Sequence, residues 1–155
     1  MDMLMPLMSL PTVKAPPGYS VRRAQSFEKT IVIDAITAWF GEHSRAWPDE
    51  CELAYARQPI ACQVALREQT LIGFACYDAT FRGFLGPIGV SPSARGAGIG
   101  GALLSATLHA MRAHGYGYAI IGNVGAADFF SKFGAHEIPN STPGAYAPTA
   151  TFTQD

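Results

Sequence analysis

The run Val90-Ser91-Pro92-Ser93-Ala94-Arg95-Gly96-Ala97-Gly98-Ile99-Gly100-Gly101 joins an apolar stretch to the start of a helical period. A helix start leaves about four main-chain N–H groups without intrahelical partners, and a Ser, Thr, Asp or Asn cap or an acidic first turn ordinarily answers them. Neither is present here. Glycines let those amides approach a ligand closely, the helix dipole contributes a partial positive charge, and Arg95 adds a full one, which together make the chemistry of a phosphate cradle. Two other readings of the same residues stay open. One is a glycine-rich connection whose amides are met by water. The other is a dinucleotide site, because Gly96, Gly98 and Gly101 satisfy G-x-G-x-x-G. That pattern calls for an acidic residue about 20 positions later, at the end of the next strand. Residues 116–123 hold no carboxylate, and the 54 residues after Gly101 are too few for the rest of a doubly wound domain.

The elements that must position this segment follow from periodicity. Residues 19–24 read as a short strand, and Ser26 as the N-cap of a helix that ends before Gly41. Val32, Ala35, Ile36, Trp39 and Phe40 recur at helical spacing and form one buried face. A second helix runs over 48–58. From residue 61 the period becomes two: 61–67 and 71–80 read as a hairpin and 83–90 as a third strand. Residues 99–114 form a helix with Leu103, Leu104, Leu108 and Met111 inward and Ser105, His109 and Arg112 outward. A strand over 118–122, a short helix over 126–133 and a strand pair around Pro143-Gly144 complete the order β-α-α-β-β-β-α-β-α-β-β.

Composition narrows the classes. The chain has 155 residues, 48% of them hydrophobic and 15% charged, with net charge −1, so it suits one packed domain and offers no basic field for nucleic acid. Residues 1–82 carry 17 charged side chains and residues 83–155 only six, while 13 of the 16 glycines lie at or after Gly83. Backbone, more than side chains, therefore approaches a ligand in the second half. Cys51, Cys62 and Cys76 have no C-x-x-C spacing and no paired histidines nearby, which suggests neither a disulfide framework nor a structural zinc site, and a reducing cytoplasm. The start of the chain is apolar but carries Asp2, Pro6 and Pro11 and reads as a loose tail. No stretch reaches the roughly 18 to 20 apolar residues of a membrane span.

Arg95-Gly96-Ala97-Gly98-Ile99-Gly100 resembles the R/Q-x-x-G-x-G/A pyrophosphate signature of the GNAT superfamily, the acyl-coenzyme A-dependent N-acyltransferases. Ile88-Gly89-Val90 with Pro92 resembles the strand and turn before that signature. Asn123, Ala126, Phe129, Lys132 and Gly134 fall in register with the family's N-x-x-A-x-x-F-Y-x-K-x-G segment. The similarity covers about 71–146. It implies an α/β fold with a mixed, mostly antiparallel central sheet of about six to seven strands and about four helices on its two faces. The domains it implies are a flexible tail over 1–15 and a single acyltransferase domain over 16–155.

By the same resemblance the donor is acetyl-coenzyme A, with no metal. Its diphosphate would lie on residues 95–101 and its pantetheine arm against Ile88, Gly89 and Val90 as a surrogate strand, with Asn123, Phe129, Phe130 and Lys132 also on the coenzyme side. The Val90 amide would be the oxyanion donor. Relatives place a tyrosine where this chain has Phe130, so the acid role does not carry over. Unassisted thiolate departure, helped by the Asn123 amide, and proton donation from Tyr146 or Ser131 remain. The 83–90 strand lacks the carboxylate of many relatives, leaving Asp78, His43, His136, Glu137 or water as base. Trp47, Tyr77 and Asp78 are the acceptor-site candidates. Asp49, Glu50 and Glu52 could attract a cationic amine, although a solvated helix start explains them too. The expected partner is a small-molecule or peptide amine, with no nucleic acid and no membrane, and with a homodimer among the options. A non-catalytic acyl-coenzyme A sensor is the alternative from another class.

Overall fold

The computed structural model describes residues 1–146 and 148–155. Their order is β1 (Met3–Pro6), β2 (Tyr19–Arg23), α1 (Lys29–Phe40), α2 (Trp47–Tyr55), β3 (Cys62–Arg67), β4 (Thr70–Tyr77), β5 (Leu85–Val90), α3 (Ile99–Ala113), β6 (Tyr118–Ile121), α4 (Ala127–Ser131) and β7 (His136–Glu137). The strands form two antiparallel sheets, β2-β3-β4-β5 and β6-β1-β7. A parallel bridge between Phe84 and Ile120 joins them, with the Ile120 N–H donating to the Gly83 carbonyl at 2.9 Å. This is the expected α/β class, with the strands divided between two sheets.

Alternation along β3 and β4, interrupted by a bulge at Ile72, gives each face its partner. Val64, Phe74 and Cys76 pack with Val32 and Ile36 of α1 and Cys51 and Ala54 of α2. Ala65, Ile72 and Ala75 pack with Ile99 and Leu103 of α3. Helix α1 is entered through a 3-10 turn, Ser26–Glu28, closed by the Gln25 N–H donating to Glu28 Oε2 at 2.9 Å, so Gln25 and not Ser26 is the cap.

The expected tail is instead the middle strand of the smaller sheet. Met3 and Met5 of β1 and the following Leu7 alternate inward and are fully buried, paired with β6 on one side and β7 on the other. Residues 7–13 then run along α3. The Val13 N–H donates to Ser105 Oγ at 3.0 Å, Ser105 Oγ–H donates to the Pro11 carbonyl at 3.2 Å, and Arg112 donates to the Leu7 and Met8 carbonyls. The polar stripe of α3, expected to face water, is thus a binding strip for the chain's own start. Among the described residues the expected strand pair around Pro143-Gly144 does not form. Residues 136–137 pair with β1, and residues 138–144 fold over Asp2, which accepts the Asn123 N–H at 2.8 Å and donates its own N–H to Ser141 Oγ at 2.8 Å.

The three cysteines are free and fully buried, and the fold gathers them: their sulfurs all lie within 4.8 Å of one another. Spacings of 11 and 14 residues concealed this. No helix among the described residues is long and apolar enough to cross a membrane.

Candidate active site

Strands β5 and β6 start together and then separate, and a cleft of about 910 Å³ opens between them. The register of β5 decides what it presents there. Gly73 faces Val90 and Ala75 faces Ile88, while the Ser91 N–H donates to the Ile72 carbonyl at 2.8 Å. That bond makes both pairs non-hydrogen-bonded, so the N–H and C=O groups of Ile88 and Val90 point away from β4 and into the cleft. Arg95 Nε donates to the Val90 carbonyl at 3.3 Å. The Val90 N–H has no such neighbour among the described residues.

At the far side of the same cleft α3 begins. Its N-cap is Gly98 at φ +82°, no side chain caps it, and no acidic residue stands in its first turn. Gly96 is also left-handed, at φ +88°, a conformation that favours glycine, and a Cβ at either position would meet nothing within 4 Å. The start of α3 therefore offers free amides, a dipole and open space to an anion. Gly100 and Gly101 have a different reason to be small: an added Cβ would lie 3.6 Å from the Phe129 ring and 3.1 Å from Phe133, the residues of and after α4 that pack on this turn.

The other end of the cleft is walled by α2 and the end of the chain. Glu50, in the first turn of α2, is 8% exposed and is the one carboxylate among the described residues that line the cleft. It accepts a short hydrogen bond from Thr80 Oγ1, and the Tyr146 hydroxyl donates toward the same Oε1 at 3.4 Å. No cation pairs with it among the described residues. Burial, and then the Glu50 charge, push the Tyr146 phenol above its ordinary range, so it holds its proton. A Cβ on Gly122 would come within 2.9 Å of the Tyr146 ring, so that glycine lets Tyr146 lie across the end of β6. Trp47, Phe40 and Phe74 form a ring cluster at 5.1 to 6.1 Å that carries this wall, and His43 stands on the cleft as well.

Of the residues singled out from sequence, Ile88, Gly89, Val90, Arg95, Gly96, Gly98, Ile99, Gly100, Gly101, Asn123, Phe129, Phe130, Trp47 and Tyr146 line the cleft. Ala97 sits between the two left-handed glycines but outside the lining. Lys132 is exposed at the C-terminal end of α4 and lies outside it too. Tyr77 and Asp78 are elsewhere, because the register shift between Ala75 and Tyr77 turns that end of β4. Tyr77 is buried, accepts a bond from Arg23 at 3.1 Å and meets His114 edge-on. Asp78 accepts the Tyr116 hydroxyl at 2.7 Å and the Gly83 N–H at 2.7 Å, pinning the β4–β5 connection. His136 and Glu137 are exposed on β7, and Ser131 is exposed on α4. Of Asp49, Glu50 and Glu52, which sequence weighed together as an attractor of a cationic amine or as a solvated helix start, Glu50 is the one that lines the cleft.

The sequence profile of the Acetyltransferase (GNAT) family matches residues 29–135. Among solved structures, the GCN5-related N-acetyltransferase of Sphaerobacter thermophilus superposes with a TM-score of 0.71 at 19% identity, covering 87% of this chain and 47% of that one. A GNAT family acetyltransferase from Brucella melitensis in complex with acetyl-CoA gives 0.58 at 21% identity, over 72% of this chain and 80% of that one. The N-acetylglutamate synthase of Neisseria gonorrhoeae, complexed with coenzyme A and N-acetyl-glutamate, gives 0.54 at 16%, over 74% of this chain and 27% of that one. At these identities the likeness is one of fold, and the chain spans about half or less of the length of two of the three. No curated protein matches.

Proposed function

The chain belongs to the GNAT acetyltransferase family, and from that premise we propose that it transfers an acetyl group from acetyl-coenzyme A to a primary amine of a small molecule or peptide. One observation carries the reading. An uncapped, left-handed glycine start of α3 and the outward main-chain groups of Ile88 and Val90 open on one cleft. These two sets of main-chain groups suit, respectively, a diphosphate and an amide-bearing arm, and the open space at Gly96 and Gly98 is what a diphosphate requires. The cleft's volume sits at the upper end of the roughly 300 to 1,000 Å³ typical of ligand pockets, as a long ligand needs.

When bound, acetyl-coenzyme A supplies an activated thioester carbonyl. The chain's own part is positioning and proton transfer. The N–H groups of residues 96–101 hold the diphosphate, the outward main-chain groups of Ile88 hold the arm, and the Val90 N–H is the donor left for a developing oxyanion. Glu50 takes the ammonium of the acceptor and removes its proton, because an amine must be neutral to attack. Tyr146, whose phenol remains protonated beside Glu50, is the hydroxyl donor at that end of the cleft, since Phe130 has no proton to give and Ser131 points to solvent. Three free thiols fit a reducing compartment such as the cytoplasm.

The test is release of free thiol from acetyl-coenzyme A in the presence of a panel of primary amines, with acetylated product identified by mass. Turnover with at least one amine is expected. Binding of the coenzyme with no turnover across the panel would instead favour the sensor reading and overturn this one.

A further inference from the structure

Outside the cleft, the interior holds a cluster for which acetyl transfer has no use. Cys62 on β3 and Cys76 on β4 are register partners, and the Tyr77 N–H donating to the Ala61 carbonyl at 3.0 Å makes them a non-hydrogen-bonded pair, the closest cross-strand approach a sheet offers. Both side chains face α2, from which Cys51 descends onto them. All three are 0% exposed, with the sulfurs mutually within 4.8 Å. One turn further along α2, at i+4 from Cys51 and so on the same face, Tyr55 is 8% exposed, and its hydroxyl is buried with no hydrogen-bond partner among the described residues. A buried orphan hydroxyl is uncommon and calls for an explanation.

We propose that Cys51, Cys62 and Cys76 form a three-thiolate site for a soft trivalent centre, arsenic(III) or antimony(III), with the Tyr55 hydroxyl donating to a ligating sulfur. Three sulfurs bonded at about 2.3 Å to one pyramidal centre, with angles of about 100°, stand about 3.5 Å apart, and sulfurs already mutually within 4.8 Å come to that separation by side-chain rotation. Charge balance selects the ion. A net charge in so dry a place is costly, and the cations of α1, β2 and the residues just past α2 are committed elsewhere: Lys29 to Glu52 at 2.8 Å, Arg22 to Glu28, Arg23 to Tyr77 and the Ile60 carbonyl, and Arg57 to the Asp78 carbonyl. Zinc on three thiolates would leave one negative charge and copper(I) two, whereas a trivalent centre leaves none.

The reaction with arsenous acid balances without any co-reactant: As(OH)3 and three thiols give the tris-thiolate and three waters. Three S–H and three As–O bonds break, three As–S and three O–H bonds form, and arsenic stays trivalent. Arsenous acid is uncharged at neutral pH, so its entry through a transient opening of α2 carries no ion across the apolar shell. Because α2 bears Cys51 next to Glu50, occupancy would clamp to the sheet the helix that carries the carboxylate of the cleft.

The experiment titrates the reduced full chain with sodium arsenite under anaerobic conditions, removes free arsenic by gel filtration, and measures retained arsenic and its X-ray absorption. The expected result is one arsenic per chain with three sulfur neighbours and no oxygen neighbour, and affinity at least tenfold weaker in Cys51→Ala. Absence of retained arsenic, a mixed sulfur and oxygen shell, or zinc or copper(I) retained in preference to arsenic would overturn the proposal. The absorption measurement on the unaltered chain decides the question even where Cys51→Ala fails to fold.

Discussion

Replacing Glu50 by Gln removes a charge and a base while leaving the shape of the site. Glutamine keeps an amide oxygen to accept the Thr80 hydroxyl and fills the same volume in the first turn of α2. The change in folding stability is therefore that of exchanging one buried hydrogen-bond acceptor for another, about 1 kcal/mol or less. Turnover is a different matter. A positioned general base is worth roughly 10² to 10⁴ in rate, or about 2.7 to 5.4 kcal/mol at 1.36 kcal/mol per decade, and Glu50 is the one carboxylate among the described residues on the cleft. Thiol release followed across pH separates the two effects. The variant should melt within a few degrees of the parent, lose at least a hundredfold in kcat at neutral pH, and show a rate that climbs steadily with pH, because the neutral amine must then arise in solution. Glu50→Asp, which retracts the carboxylate by one methylene, should recover part of the loss. A Glu50→Gln enzyme that turns over within threefold of the parent with an unchanged pH profile would refute the assignment.

Three further outcomes follow from other parts of the structure. Tyr146→Phe should lower kcat and remove the alkaline limb of the pH profile. The phenol is raised above its ordinary range, so the proton it donates is present at neutral pH and activity is lost only as pH rises through that raised value. Gly98→Asp should cost the free protein about 1 kcal/mol, since φ +82° strains any residue with a Cβ and a negative charge at the helix start offsets only part of that. The same substitution should weaken coenzyme A binding at least a hundredfold by calorimetry, because like charges about 4 Å apart repel by about 4 kcal/mol at an effective dielectric of 20. Met5→Asp should abolish cooperative melting by circular dichroism, since it buries an unpaired charge at 0% exposure at a cost of several kcal/mol, out of a total stability of about 5 to 15 kcal/mol; Met8→Asp, at a site 55% exposed, should melt like the parent.

What sequence could convey depended on how local the signal was. The α3 start was legible because an uncapped glycine run is a statement about consecutive residues, and the β5 edge because its strand period is short and clean. Strand β1 was misread although Met3, Met5 and Leu7 alternate, since its partners lie more than a hundred residues away and an apolar beginning without basic residues resembles a tail. The resemblance puts Tyr77 and Asp78 in the acceptor site, but the register shift after Ala75 falls in that end of β4 and neither residue lines the cleft. Glu50 was hidden by its own helix position, where a carboxylate has a sufficient reason to exist without any site. The cysteines looked unrelated because a helix and two strands bring them together, and no spacing rule spans that junction.

The central claim is that the main-chain amides at the head of α3 hold a diphosphate, and amide NMR of the isotope-labelled chain reads those groups one by one. On titration with coenzyme A, the amide signals of Gly96, Gly98, Ile99, Gly100 and Gly101, together with those of Ile88 and Val90, should move saturably and reach their end point together at one equivalent. Titration that leaves the Gly96 to Gly101 amides in place, whether or not other signals move, would contradict it.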